Sequence, residues 1–364
     1  MTTIVLSAGG TGGHLFPAQA LAAELMHRGR SIVLMTDARG RNYHTAFPGA
    51  MLATVPSASP SNTNLAGRLF APFQILAGIF IGFFKLLHLK PAAVVGFGGY
   101  PSLPVMLAAR IAGFPTAIHE QNAVLGRVNR LIAQYMRAIA ASFPFARFAP
   151  KDSQRIHYTG NPVRPEAAAL SHAPYSASGE SGPVRILIFG GSQGAKVLSE
   201  IVPAALASLP LSIRNRLDIV QQGRPEDIGN LRSAYDEAGI RAEVADFFAD
   251  MPQRMSAAHL VISRSGASTI SELAVIGRPS ILVPYPFATD DHQTANASVL
   301  AEAGAAWLIP QREFTADTLC ALLCEILVQP SELTRRAEAA AMLGKPDAAQ
   351  RLADLVDHIG GNRP

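Results

Sequence analysis

The densest chemistry in the sequence lies in one stretch, residues 260 to 297, LVISRSGASTISELAVIGRPSILVPYPFATDDHQTANA. Leu260 to Ser263 is a short apolar run and reads as a buried strand. Arg264-Ser265-Gly266-Ala267 reads as a turn of small residues, and Ser268 as the cap of a helix with Ile270, Leu273, Ala274 and Ile276 at helical spacing. A strand, a turn and a helix make an anion site, because the first-turn N–H groups have no acceptor inside the helix. Those N–H groups point at whatever sits in the turn, and Ala267, Ser268, Thr269, Ile270 and Ser271 are candidate substrate-binding residues. Glu272 falls one turn further in, where its carboxylate suits the two vicinal hydroxyls of a ribose. The next strand, Ser280 to Val283, ends at Pro284, and Asp290-Asp291-His292-Gln293 with Asn296 follows it. Ligands of open parallel sheets bind beyond strand ends of this kind. On this stretch alone, an ordinary strand-turn-helix with a solvated acidic loop stays open.

A second group sits at the start. Thr3 to Ser7 reads as a strand, and Ala8-Gly9-Gly10-Thr11-Gly12-Gly13-His14 follows it. Pro17 to Arg28 reads as a helix and Ser31 to Met35 as the next strand. An imidazole titrates near neutral pH, so His14 could accept a proton; a structural histidine is the plainer alternative. Gly10-Thr11-Gly12 fits the first half of a dinucleotide fingerprint, but Leu15 stands where Gly or Ala would complete it. What the glycines permit is close approach of backbone to ligand.

Further polar blocks follow other strand ends. His119-Glu120-Gln121-Asn122 closes a strand from Thr116, with Asn122 equally readable as a turn residue. Arg164, in Gly160-Asn161-Pro162-Val163-Arg164, offers a planar fork to a nucleotide. Gly190-Gly191-Ser192-Gln193-Gly194-Ala195 follows the strand Val184 to Phe189, and Ser192 could bond a phosphate oxygen. Phe247 and Phe248 follow the strand Ala242 to Ala245; a core aromatic is the alternative for Phe248.

These groups need elements to position them. Strand, glycine turn and helix recur near residues 9, 98, 190 and 266. The fold expected is α/β: two doubly wound, Rossmann-like parallel-sheet domains with ligand edges facing each other across a cleft. The boundaries read as an N-terminal domain over 1–164, an Ala/Ser/Gly/Pro-rich linker over 165–183, a C-terminal domain over 184–343, and a last helical segment, 344–364, packing back on the first domain.

Composition narrows the partners. A formal charge of +4 spread along the chain is too mild for a dedicated nucleic-acid binder, but it suits acidic lipids or phosphorylated substrates. The two cysteines, Cys320 and Cys324, read as small buried residues of a reducing compartment. No signal peptide is read at the N-terminus. Residues 65 to 90 are the most apolar region, flanked by Arg68, Lys85, His88 and Lys90. The apolar run from Leu69 to Phe84 reads as too short to span a bilayer and is interrupted by Pro72. A buried core helix and shallow docking on an anionic bilayer both fit it.

Seven blocks in order, GGTGGH, FGGYPS, HEQN, GNPVR, GGSQGA, RSGAST-SE and DHQ-ANA, resemble GT-B glycosyltransferases. More narrowly, the chain is similar to the bacterial family that adds N-acetylglucosamine to the undecaprenyl-linked muramyl-pentapeptide precursor of peptidoglycan. The resemblance covers almost the whole chain. It implies transfer from UDP-N-acetylglucosamine to the muramyl 4-hydroxyl with inversion, in a peripheral enzyme on the cytoplasmic face of the bacterial inner membrane. It implies His14 as general base, with Thr11, Gly12 and Gly13 lining the substrate. Asn122 and Gln293 would read the sugar, Glu272 the ribose, and the backbone at Phe248 the uracil. Ser192 and Arg164 would assist the turn at Ser265 to Thr269 in holding the diphosphate. No Asp-x-Asp motif occurs, so no metal or other cofactor is expected. Cell-wall and division enzymes are implied as partners. The rivals are another enzyme on this fold, such as a UDP-N-acetylglucosamine 2-epimerase or a lipid galactosyltransferase, and a non-catalytic sugar-nucleotide sensor.

Overall fold

Alternation along the first strand shows how the N-terminal sheet is built. Ile4 and Leu6 point to one face and Val5 to the other, and all three are fully buried. A strand buried on both faces belongs in the middle of a parallel sheet covered by helices on each side. The computed structural model describes residues 2–9, 12–38, 45–58, 65–171, 173–179, 182–191 and 194–361. It divides into two units, Met1–Arg164 with Asp347–Pro364, and Pro165–Pro346.

The first unit holds β1 (Thr3–Ser7), β2 (Ser31–Thr36), β3 (Met51–Thr54), β4 (Ala93–Gly96), β5 (Thr116–Glu120), β6 (Ala138–Ala141) and β7 (Ile156–Tyr158). They form one parallel sheet in the order β3-β2-β1-β4-β5-β6-β7. Ile4 and Leu6 pack with Ala18, Leu21 and Leu25 of the helix Gly12–His27. Val5 packs on the other side with Val33, Val105, Met106 and Ile118. The helix Ala348–Ile359 belongs to this unit: Leu352, Val356 and Ile359 enter the core beside Ile4. Asp357, buried on that helix, receives Arg30 at 2.9 Å, and Asp354 receives Arg28 at 2.6 Å.

The second unit repeats the plan with β8 (Val184–Phe189), β9 (Leu217–Gln222), β10 (Arg241–Ala245), β11 (Leu260–Ser263), β12 (Ser280–Leu282) and β13 (Ala306–Leu308). The order is β10-β9-β8-β11-β12-β13, again parallel. In both sheets the winding reverses next to the first strand, between β1 and β4 and between β8 and β11. A crevice opens beyond the strand ends at such a reversal.

Several local expectations are corrected. The helix after β1 begins at Gly12, not Pro17, and carries Pro17 inside it as its sixth residue, where the missing proline N–H removes the intrahelical bond to Gly13 O. Residues expected as linker carry a helical turn, Pro165–Ala168, and Tyr175, whose hydroxyl donates to His259 O at 2.9 Å within the second unit. The apolar run belongs to a 25-residue helix, Leu65–Leu89. Its segment Phe70–Leu89 is long and apolar enough, by length and composition, to cross a membrane, so brevity does not exclude a span.

One face of that helix is nevertheless committed to the sheet unit. Ala71, Gly78, Gly82 and Leu86 form a buried stripe. A Cβ on Gly78 would lie 2.1 Å from Pro56 O and 2.9 Å from Pro104 Cβ, so only glycine permits this contact with the helix Ser102–Ile111. The opposite stripe, Phe70, Phe73, Leu76, Phe80, Phe84 and Leu87, is exposed, with Phe73 68% and Phe80 66% accessible.

Candidate active site

The first unit brings His14 and the His119–Asn122 block together at the sheet reversal. His14 is the third residue of the helix that follows β1, and its ring sits against the loop that follows β4. A Cβ on Gly98 would lie 3.3 Å from His14 Cε1, and one on Gly99 3.5 Å from Cδ2. Both glycines have positive φ, +86° and +74°, which makes the turn that receives the ring a glycine turn. His14 Nδ1 lies 3.0 Å from Gln121 Oε1.

Behind it lies a buried polar network. Gln121 Nε2 donates to Phe97 O at 3.0 Å and to His119 Nδ1 at 3.0 Å. His119 Nε2 lies 3.1 Å from Gly160 O. Complete burial pushes the His119 imidazole down to about 4, since desolvation penalises the cation. Glu120, also buried, accepts from Asn122 N at 3.1 Å and Asn122 Nδ2 at 3.2 Å with one oxygen. Its other oxygen accepts from Gly126 N at 2.9 Å and Asn129 Nδ2 at 2.8 Å. A buried carboxylate holding four N–H groups ties the loop after β5 in place. Gly12 and Gly13 flank His14 in the first helical turn, and Thr11 lies outside the described residues. Arg164 stands with its guanidinium 5.9 Å from the Phe16 ring centre.

In the second unit the turn after β11 leads into the helix Ala267–Ile276. The cap is Gly266, not Ser268, and it brings no side-chain hydrogen bond to the first turn. The first intrahelical bond is Ile270 N to Gly266 O at 3.0 Å, so the N–H groups of Ala267, Ser268 and Thr269 have no intrahelical acceptor. Ser268 Oγ is buried with no hydrogen-bond partner among the described residues, a polar atom at the turn with a bond still to make. Ser271 is spent locally, donating to Ala267 O at 2.8 Å. Ile270 and Glu272 are buried in the same helix.

Gln293 is joined to this turn from the other side. Ser265 Oγ donates to Gln293 O at 2.8 Å, Asn296 Nδ2 donates to Ser265 O at 3.1 Å, and Tyr285 N donates to Gln293 Oε1 at 2.9 Å. Asp290 and Asp291 take positive φ to make the corner before the helix His292–Glu302. Arg264 faces inward, donating to Val283 O, Pro284 O and Gln311 Oε1, and burial lowers its affinity for the proton. The Phe248 ring is buried under the Arg254 guanidinium, 4.2 Å away, so a ligand contact there would fall to its backbone. Ser192 lies outside the described residues.

Sequence reasoning overlooked Gln121, His119 and the pair Gly98-Gly99. Their signal was present in the HEQN and FGGYPS blocks, but only the sheet brings the two loops to His14.

Two doubly wound parallel sheets, each with a glycine turn at its reversal point, have the architecture of GT-B glycosyltransferases. The chain belongs to glycosyltransferase family 28: the N-terminal domain of that family matches residues 4–141 and the C-terminal domain residues 185–352. It is 52% identical over 361 residues to a UDP-N-acetylglucosamine--N-acetylmuramyl-(pentapeptide) pyrophosphoryl-undecaprenol N-acetylglucosamine transferase of Rhodospirillum centenum, covering 98% of this chain and 94% of that one. An enzyme of the same name from Paramagnetospirillum magneticum is 50% identical over 359 residues, covering 97% and 95%. Among solved structures, Acinetobacter baumannii MurG superposes with a TM-score of 0.82 at 32% identity, covering 98% of this chain and all of that one. The calicheamicin glycosyltransferase CalG4, at 17% identity and a TM-score of 0.67, shares the fold.

Proposed function

We propose that this chain moves N-acetylglucosamine from UDP-N-acetylglucosamine to the 4-hydroxyl of undecaprenyl-diphospho-N-acetylmuramoyl-pentapeptide, inverting the anomeric carbon. The observation that carries the reading is identity of about half, over nearly the full length of both chains, to enzymes bearing that name. A putative UDP-N-acetylglucosamine 2-epimerase from Listeria monocytogenes, at 15% identity and a TM-score of 0.67, shares the fold alone.

A single displacement needs a base for the acceptor hydroxyl and stabilisation of the departing diphosphate. In this reading His14 is the base. The uncapped N–H groups of Ala267, Ser268 and Thr269 hold the diphosphate, and Ser268 Oγ, otherwise unpartnered, adds a bond to it. Ser192 and Arg164 assist. Glu272 holds the ribose, the Phe248 backbone the uracil, and Gln293 and Asn122 the sugar hydroxyls. The first unit serves the acceptor and the second the donor.

The acceptor's polyprenyl chain requires work at a bilayer, at the cytoplasmic face of the inner membrane. The exposed stripe from Phe70 to Leu87, with Lys85, His88 and Lys90 beside it, supports docking in the interface of an anionic membrane. Cell-wall and division enzymes are the partners this placement suggests. The test is a transfer assay with UDP-N-acetylglucosamine and a short-chain muramyl-pentapeptide diphospholipid, the product read by mass. A product heavier by one N-acetylhexosamine is expected; its absence, with the nucleotide sugar bound, would leave the sensor reading.

A further inference from the structure

Hydrogen bonds in the first unit form a chain whose direction is set at its far end. Gly160 O can only accept, so His119 must carry its proton on Nε2, 3.1 Å away. The His119 Nδ1 lone pair then accepts from Gln121 Nε2 at 3.0 Å. The same amide nitrogen meets two more acceptors, Phe97 O at 3.0 Å and His119 O at 3.2 Å. A flipped amide would set its oxygen against all three. Gln121 Oε1 therefore faces His14, and an amide oxygen can only accept. The His14 proton must lie on Nδ1, 3.0 Å away.

We infer that Gln121 is a positioning residue that locks His14 in the Nδ1–H form and so makes Nε2 the atom that takes the acceptor proton. This rests on the reading of His14 as general base. His14 Nε2 has no partner among the described residues. The lock is rigid, since Gln121 is 1% accessible and His119 fully buried, and the ring is seated on Gly98 and Gly99. His119 stays a neutral relay near pH 7, because burial holds it far below the usual imidazole range. A second proton on His119 would set N–H against N–H at Gln121. In the step itself the acceptor O–H bond breaks as the oxygen attacks the anomeric carbon. The proton passes to His14 Nε2, and the electron pair of the broken glycosidic bond leaves with UDP. The imidazolium that forms keeps Nδ1–H on Gln121 Oε1, an acceptor that gains strength as charge develops.

The test reads the tautomer directly. In full-length protein with ring-¹⁵N histidine, long-range ¹H–¹⁵N correlation at pH 8 separates the two neutral forms, and His14→Ala assigns the signal. Wild type is expected to show His14 as Nδ1–H. Gln121→Leu is expected to shift His14 towards Nε2–H and to lower kcat about 10²-fold, with KM for UDP-N-acetylglucosamine unchanged. A wild-type His14 in the Nε2–H form, or an unaltered tautomer in folded Gln121→Leu, overturns the inference. A switched tautomer with undiminished turnover supports the lock and removes His14 from the role of base instead.

Discussion

Ser265 Oγ donates to the backbone carbonyl of Gln293 across 2.8 Å, joining the turn after β11 to the helix that carries Gln293. The two segments are 28 residues apart in sequence, and Asn296 returns a second bond to Ser265 O. The turn after β11 and the start of the helix that carries Gln293 are thus tied into one piece. Ser265→Ala removes one buried hydrogen bond, a loss of about 1 kcal/mol. KM for UDP-N-acetylglucosamine should rise roughly fivefold with kcat nearly unchanged. Initial-rate measurements check this, and an unaltered KM would show that the two segments bind independently.

His14→Ala should lower kcat about 10²-fold or more, the usual scale for a lost acid–base group, while sparing UDP affinity. Rate assays paired with calorimetry on UDP separate the two effects. Full turnover in the variant would remove His14 from catalysis.

In the proposed reading the first turn after Gly266 holds the diphosphate without a divalent ion. Turnover should persist in EDTA at saturating substrate. Loss of activity in the chelator, restored by Mg²⁺ or Mn²⁺, would contradict the assignment.

His119 supplies a pH signature. Its folded-state value of about 4 lies below the unfolded 6.5, so the unfolded chain binds the extra proton between those limits. The neutral buried form is fully favoured above pH 6.5, and stability falls as pH drops towards 4, by roughly 3 kcal/mol in all. Denaturant unfolding at pH 7 and pH 5 should show a smaller difference for His119→Gln than for wild type. Identical pH dependence would mean His119 is not buried neutral.

The helix Leu65–Leu89 separates packing from docking. Gly82→Leu should destabilise the first unit, because a Cβ there already lies 3.3 Å from Ala108 Cβ. Phe73→Ser with Phe80→Ser should leave the unfolding midpoint almost unmoved, since both rings are exposed. Co-sedimentation with anionic vesicles should fall at least tenfold, each ring contributing about 1.5–3 kcal/mol when buried in the interface. Undiminished vesicle binding would count against docking by this stripe.

The parallel α/β plan was legible because its strands are continuous apolar runs closed by glycine turns, as at Ile4 to Leu6 and Leu260 to Ile262. Four strands escaped notice: β3, β6, β7 and β13. Ala138–Ala141 reads AIAA and Ile156–Tyr158 has only three residues, too little pattern to register without neighbours. They are strands because β5 and β6 offer them an open edge. Ser268 was taken for a cap on residue type, but Gly266 ends the turn with φ −62° and ψ 148°, and the helix starts two residues earlier than a Ser268 cap requires.

What the sequence alone determined was which residues are candidates for the chemistry: a histidine after glycines, a helix start behind β11, Glu272 one turn in, and Gln293 past a later strand end. Those are local properties of residue type and spacing. What only the tertiary structure decided was how they are held. The contact of Gln121 with His14 joins residues 107 apart, and its polarity depends on carbonyls at Phe97 and Gly160 supplied by other loops. A hydrogen-bond direction is set by every acceptor around it at once, and no single stretch of chain contains them all.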